Sequence, residues 1–371
     1  MDHHTVENLF AVVSPGLEEI CAEELSGLGL SRVETLPGGV TFSGGLEDIY
    51  RANLWSRCAS RVWVRFERFR CRAFPDLYRR AVRLPWGRFI RQETAVEVSV
   101  TCRRSRLMHG GRLAATLQDA INRALGRPPV ATQGPVQRLL AHMVDDELSL
   151  SIDSSGELLH RRGYRLSVTQ APLRETLAAG ILMLLGWKGT VPLADPMCGT
   201  GSFLLEGALL AACRAPGLAR HFAFENWPGY REGLWCRLCD EARQQQKPVA
   251  PHLEGCDLDP HAVMAAKHNL ANLQVEGEIT FLQGAFADQP VHPGPGLVVC
   301  NPPYGHRLKP TGNLPAFYRS LGRSLAHSYP GWTLALLCPD AGLVKATGLP
   351  FRKRAELDNG GLTVGLFVCK K

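Results

Sequence analysis

Along this chain, short apolar runs alternate with amphipathic stretches, which is the pattern of interleaved strands and helices. Residues 9–13 predict a strand. Residues 17–27 predict a helix whose Leu17, Ile20, Cys21, Glu24 and Leu25 share a face. Residues 40–42 and 46–54 add a strand and a helix, as in a small ferredoxin-like α+β unit. Residues 62–66, 96–100 and 148–153 read as strands and 74–82 and 113–125 as helices. Residues 158–165 are expected to return as the hairpin partner of 148–153. There is no solenoid period and no low-complexity tract.

After a linker at 166–172 the pattern changes. A long apolar helix (173–186) precedes short strands at 191–194, 252–257, 279–283, 297–300 and 333–338. Helices fall between them at 203–213, 261–272 and 318–327, and a hairpin with an Asn359-Gly360 turn closes the chain (352–357 and 362–369). Four consecutive apolar residues at 297–300 read as a strand buried on both faces. The predicted architecture is α/β, a doubly wound, mostly parallel sheet ending in an antiparallel hairpin. It is preceded by two smaller α+β domains, with boundaries at 1–54, 55–165 and 166–371.

Two loops of this last region carry chemistry. Asp195-Pro196-Met197-Cys198-Gly199-Thr200-Gly201-Ser202 leaves a strand and opens a helix. Glycines there let backbone amides approach a nucleotide-like cofactor at the helix N-terminus. Asp257, ending the next strand, is placed to bind two ribose hydroxyls, with Asp259 nearer the following helix. Asp288, or the backbone at Phe286, is the expected adenine contact. The second loop, Asn301-Pro302-Pro303-Tyr304-Gly305, stops the buried strand with two prolines. The Asn301 side-chain oxygen and the Pro302 carbonyl can accept both hydrogens of an exocyclic amine while Tyr304 stacks on its ring. This run resembles the Asn/Asp-Pro-Pro-Tyr/Phe signature of amino-group methyltransferases.

Composition narrows the setting. With 45% hydrophobic and 21% charged residues the chain is globular in type, and no apolar run is long enough to span a bilayer. No basic region followed by an apolar one opens the chain, and the cysteines are scattered through apolar runs, so a cytoplasmic, reduced protein is expected. Cys236 and Cys239 have a zinc-like spacing with no second pair to complete four ligands, so no metal is expected. The net charge of +7 is unevenly spread. Residues 1–50 hold nine acids and one base, whereas 51–112 hold 16 arginines and four acids. Arginines interleaved with Trp55, Trp63, Phe66, Phe69, Phe74, Tyr78 and Trp86 suit a phosphate backbone with exposed bases. Arg103, Arg104 and Arg106 lead out of a strand in this block.

With these motifs in view, the chain resembles the THUMP-containing guanine-N2 RNA methyltransferases over nearly its whole length. The likeness is to the N-terminal half of the 23S ribosomal RNA enzyme and to the tRNA enzyme of the same group. It rests on residues 14–18, 160–165, 171–179, 195–202, 222–225 and 301–305, with Arg307 and Leu308. The resemblance implies a class I methyltransferase fold and a THUMP RNA-binding module at about 55–155. It also implies S-adenosylmethionine as donor and a guanine in structured RNA, rRNA or tRNA, as acceptor. Asn301, Pro302 and Tyr304 would be catalytic. Asp195, Pro196, Cys198, Gly199, Thr200, Gly201, Asp257 and Asp288 would hold the cofactor, and Arg103, Arg104, Arg106, Arg161 and Arg162 the RNA. The rivals are a DNA adenine or protein glutamine N-methyltransferase and a non-catalytic RNA-binding protein. The run Gly284-Ala285-Phe286 departs from the family's usual Gly-Asp-Ala.

Overall fold

A computed structural model of the chain describes residues 6–129, 134–165, 173–304 and 313–370. They fall into two units: residues 1–12, 22–159 and 220–240, and residues 13–21, 160–219 and 241–371. The expected linker at 166–172, with Ala171 and Pro172, and the loop positions Gly305, Arg307 and Leu308 lie outside the described residues.

Elements of the first half are β1 (Glu7–Val13), α1 (Glu18–Gly27), β2 (Ser31–Leu36), β3 (Gly39–Gly44), α2 (Leu46–Trp55), β4 (Ala59–Arg70), α3 (Phe74–Ala81), β5 (Ala95–Arg103), α4 (Gly110–Ala124), β6 (Val136–Val144) and β7 (Glu147–Asp153). One seven-stranded sheet joins them in the order β2-β3-β1-β4-β7-β6-β5. Period-two burial drives it: Leu139, Ala141 and Met143 of β6 point into the core, while Val136, Arg138 and His142 face water. The partner that β7 was expected to find at 158–165 is not a strand. Both edges of β7 are already taken, by β4 and β6. The β6–β7 turn uses Asp145 and Asp146 at φ 51° and 62°, a left-handed pair that Asp tolerates.

The acids of this unit absorb much of its positive block. Arg104 forms a two-pronged bond with Asp145 at 2.9 and 2.8 Å, and Arg72 pairs with Asp146 at 2.8 Å. Arg61 pairs with the buried Asp153, Arg68 with Glu147 and Arg88 with Glu7. Of the interleaved aromatics only Trp86 is fully buried, and Trp55, Trp63, Phe66, Phe69 and Phe74 are half-buried. Trp86 is buried beside Phe66, and Trp63, Phe69 and Phe74 lie beneath arginines; Tyr78 is the exposed one, at 37%.

The remaining elements are α5 (Glu175–Leu184), β8 (Leu193–Asp195), α6 (Ser202–Ala211), α7 (Glu232–Gln244), β9 (Val249–Asp257), α8 (Pro260–Leu273), β10 (Gly277–Gln283), β11 (Leu297–Cys300), α9 (Leu314–Ser328), β12 (Thr333–Cys338), α10 (Ala341–Ala346), β13 (Arg352–Asn359) and β14 (Leu362–Cys369). The second sheet runs β10-β9-β8-β11-β12-β14-β13, parallel from β10 through β12 and antiparallel at β14 and β13. This is the expected doubly wound sheet with a terminal hairpin. Its core joins Val298 and Cys300 to Leu321, Leu325, Trp332, Leu334 and Leu336. Each large apolar side chain so buried contributes roughly 1.5–3 kcal/mol. Strand order reverses at β8, with β9 on one side and β11 on the other, and the carboxyl ends flanking such a reversal are where open α/β sheets bind ligands.

Candidate active site

At that reversal lies a cavity of about 430 Å³, walled by loops that follow β8, β9, β10 and β11. Asp195, Pro196, Cys198, Gly199 and Thr200 come from the first loop. Asp257 and Leu258 come from the second, Gly284, Ala285 and Phe286 from the third, and Asn301, Pro302, Pro303 and Tyr304 from the fourth. Met197, Ser202 and Phe203 also line it, as do Leu173 and Phe317, two residues that strand-end reasoning does not mark.

The Asn301 side-chain oxygen is buried and, among the described residues, has no hydrogen-bond partner. A buried amide carbonyl left this way costs about 1–3 kcal/mol, so it is a group awaiting a donor. Its loop is stiffened from behind. The hydroxyl of Tyr318, on α9, donates to the Pro303 carbonyl at 3.4 Å. Burial pushes the Tyr318 phenol far up, so it keeps the proton it donates. The Asn359 amide donates to the Tyr304 hydroxyl at 3.4 Å. Asn359 had been legible only as a turn residue.

Asp195 is 3% exposed, and its carboxylate accepts the Met197 amide at 3.1 Å. Burial, reinforced by the Asp257 charge, raises its pKa well above the ordinary value. Asp257 accepts the amides of Gly199 at 2.8 Å and Asp259 at 3.0 Å. Asp259 itself caps α8, accepting from the His261 amide at 2.9 Å. The cavity wall therefore carries two carboxylates, and among the described residues no lysine, arginine or histidine. Gly199 and Gly201 hold φ values of 53° and 84°. Gly201 does not line the cavity: a Cβ there would meet the Phe281 ring at 2.8 Å, so its glycine seats the helix on the sheet. Burial pushes the Cys198 and Cys300 thiols well up, which leaves them neutral and inert.

Behind the glycine loop sits a buried polar brace. Arg165 pairs with Glu175 at 2.9 Å and donates to Ser202 Oγ at 2.6 Å, and Ser202 Oγ donates to the Leu173 carbonyl at 3.0 Å. Tyr164 donates to Glu206 at 2.8 Å, with Arg162 3.6 Å from the same carboxylate.

Two sequence expectations are corrected by these positions. Arg162, expected on an RNA surface, has a side chain only 2% exposed against Glu206. Asp288, expected at the cofactor's adenine, is exposed at the end of the 3-10 turn Phe286–Asp288 and does not line the cavity, whereas Phe286 does. Arg103, Arg104, Arg106 and Arg161 are exposed. Cys236 and Cys239 lie on α7, and among the described residues no cluster of three or more His, Cys, Asp or Glu could hold a metal. No helix among them is long and apolar enough to cross a membrane.

Comparison with known proteins decides the family. The RMKL-like methyltransferase domain (UPF0020) matches residues 162–364. The chain belongs to the RMKL-like methyltransferase family. Ahead of that domain, the RlmL ferredoxin-like domain matches 8–63 and the THUMP domain 71–153. Among RMKL-like relatives, the putative RNA methyltransferase slr0064 of Synechocystis is 36% identical over 96% of this chain and 95% of its own length. The ribosomal RNA large subunit methyltransferase K/L of Methylococcus capsulatus is 37% identical over 97% of this chain. The chain spans about half (51%) of that relative's length. A putative methyltransferase, SMU.472, solved as a complex with SAH, superposes with a TM-score of 0.88 at 30% identity, covering 98% of each chain.

This RMKL-like chain is a methyltransferase whose cofactor is S-adenosylmethionine. The wall fits that group on its own chemistry: a buried carboxyl at Asp195 and a half-buried one at Asp257, with no cation among the described lining residues, suit a positively charged ligand that also bears hydroxyls.

Proposed function

We propose that the chain methylates the N2 amine of a guanine in structured RNA, and specifically in 23S ribosomal RNA. The observation that carries this reading is the buried Asn301 oxygen, without a hydrogen-bond partner among the described residues, in the wall of an acid-lined cavity. Asp257 would hold the ribose hydroxyls of the donor, Asp195 its positive charge, and Pro196, Cys198, Gly199 and Thr200 the loop around it. The backbone at Phe286, rather than Asp288, would meet the adenine. When bound, the cofactor supplies an electrophilic methyl group.

The chain's own residues do the rest. Asn301 and the Pro302 carbonyl each accept one hydrogen of the target amine, which draws its lone pair out of conjugation and aims it into the cavity. Tyr304 stacks on the extruded base. Two consecutive prolines after Asn301 stiffen the turn that carries both acceptors, so catalysis is alignment more than acid–base chemistry. The arrangement of domains as 1–54, 55–165 and 166–371 fits this division of labour: a THUMP module with exposed Arg103, Arg104 and Arg106 grips RNA by shape and charge, and the last domain carries the chemistry. Arg161 would add a phosphate contact. A cytoplasmic setting follows from the ribosomal substrate.

Ribosomal over transfer RNA is favoured by the K/L relative's name. Nucleoside mass spectrometry of separated rRNA and tRNA from cells lacking the protein tests both. Loss of N2-methylguanosine from 23S rRNA is the expected result. Loss from tRNA alone moves the substrate, and loss of a methylated adenine instead overturns the guanine assignment.

A further inference from the structure

A second cavity, of about 470 Å³, opens at the opposite end of the same sheet. Its wall includes Leu297, where β11 begins, and Thr333, where β12 begins. Asn301 follows the other end of β11, four residues on, which at about 3.3 Å per residue is about 13 Å away. The part of a ligand seated in the second cavity is thus remote from the methyl-transfer centre, which suits anchoring and not chemistry.

The walls name the ligand's charge. Arg352, Lys353, Arg354 and Lys370 line it with no acid among them. Lys353 is compensated by Glu356 at 2.5 Å, but Arg352 and Arg354 have no ion-pair partner among the described residues. Arg352 pairs with Val368 of β14, so Lys370 lies diagonally across from it, about 7–8 Å away. β13 is the edge strand, and its register slips between Lys353 and Ala355, a bulge of the kind that re-aims side chains. Uncompensated cations set this closely repel one another, and an anion removes the repulsion. They run along an exposed strand rather than converging on one point, which suits a string of phosphates better than a single one.

We infer that the Arg352–Arg354–Lys370 cleft binds the phosphate backbone of the RNA substrate, remote from the base that is modified. This rests on the RNA reading above and extends it to a surface outside the THUMP module and the catalytic cavity.

The test uses the full chain and a fluorescein-labelled RNA hairpin with guanines in its loop. Binding is followed by anisotropy across a KCl series for wild type and Arg352→Gln/Arg354→Gln. Two lost phosphate contacts lower the salt slope by about 1.5 and weaken affinity about tenfold at low salt. Both arginines are exposed, so the thermal midpoint and SAH affinity stay as in wild type. Glu356→Gln, which frees Lys353, tightens binding, a gain that misfolding cannot produce. A control with the same charge loss, Arg323→Gln/Lys345→Gln on α9 and α10, leaves the slope unchanged. Four outcomes overturn the inference: a wild-type slope in the double variant, an equal loss in the control, weaker RNA binding in Glu356→Gln, or loss of inorganic pyrophosphate binding with RNA affinity intact. Labelled donor in the same tubes separates the two claims. Cleft-dependent hairpin binding with no RNA methylated under any condition sinks the enzymatic reading and leaves the cleft standing.

Discussion

The Asn359 amide holds the Tyr304 hydroxyl at 3.4 Å, tying the turn of the terminal hairpin to the ring beside Asn301. Asn359 is 4% exposed and Tyr304 lines the cavity. Asn359→Ala is therefore expected to lower kcat about tenfold, by loosening the stacking ring, while leaving SAH affinity unchanged. Tyr304→Phe keeps the ring and loses only its tether, so its loss is smaller than that of Tyr304→Ala. Steady-state kinetics on a methyl-accepting RNA reads both, and equal losses in the two Tyr304 variants would argue that the hydroxyl, not stacking, matters.

Asn301→Ala removes the acceptor on which the proposed chemistry depends. Methyl transfer is expected to fall by at least about 100-fold. RNA affinity and SAH affinity by calorimetry should stay within about twofold, because the substitution deletes a group that makes no hydrogen bond to the described residues. Near-wild-type turnover in this variant refutes the mechanism.

With Asp195 at the donor's positive charge, as proposed, donor binding is expected to depend on pH. Burial raises its pKa well above the ordinary 3.8, with the Asp257 charge adding to the shift. A raised carboxyl contributes stability that is fully present below 3.8 and is lost as pH climbs through the folded value. A cationic ligand beside it favours the ionised form and lowers that pKa again. Donor binding should therefore release a proton, and affinity should rise with pH across the interval between the lowered pKa of the bound state and the raised one of the free protein. Calorimetry in buffers of different ionisation enthalpy measures the proton count, and in Asp195→Asn that proton release disappears.

The Arg165–Glu175 pair supports the glycine loop from behind, with side chains 9% and 4% exposed. Arg165→Met strands a buried carboxylate and should cost about 3–5 kcal/mol of stability. Arg165→Lys restores the charge but not the hydrogen bond to Ser202 Oγ. Its thermal midpoint should recover more than its KM for the donor does. Recovery of both in parallel would make the arginine a stability device with no positioning role.

What could be read from the chain depended on how far each signal travels. Strands β11 and β12 coincide with their predicted spans because four to six consecutive apolar residues between turn formers carry their own evidence. The glycine loop and the acids at strand ends are local too, and the structure gathers them in one wall. Strand β6 alternates buried and exposed positions, yet it went unpredicted because its hairpin turns on two aspartates instead of Asn-Gly. The partner assigned to β7 in its place could not pair, since sheet order is set by long-range closure. Arg162 looked like an RNA contact because a run of arginines does not reveal that Glu206, on a helix elsewhere, claims one of them. The Asn359–Tyr304 bond spans 55 residues, and no spacing rule connects a hairpin turn to a ring.

A cavity lined by anions and lacking any described cation treats what enters differently from what leaves. Once the methyl group is gone, the sulfur would be a neutral thioether, and on the proposed assignment the attraction exerted by Asp195 on that end of the molecule would fade. Spent cofactor is then held chiefly by its sugar and base. On that assignment the transfer itself would loosen part of the grip before the spent molecule is exchanged.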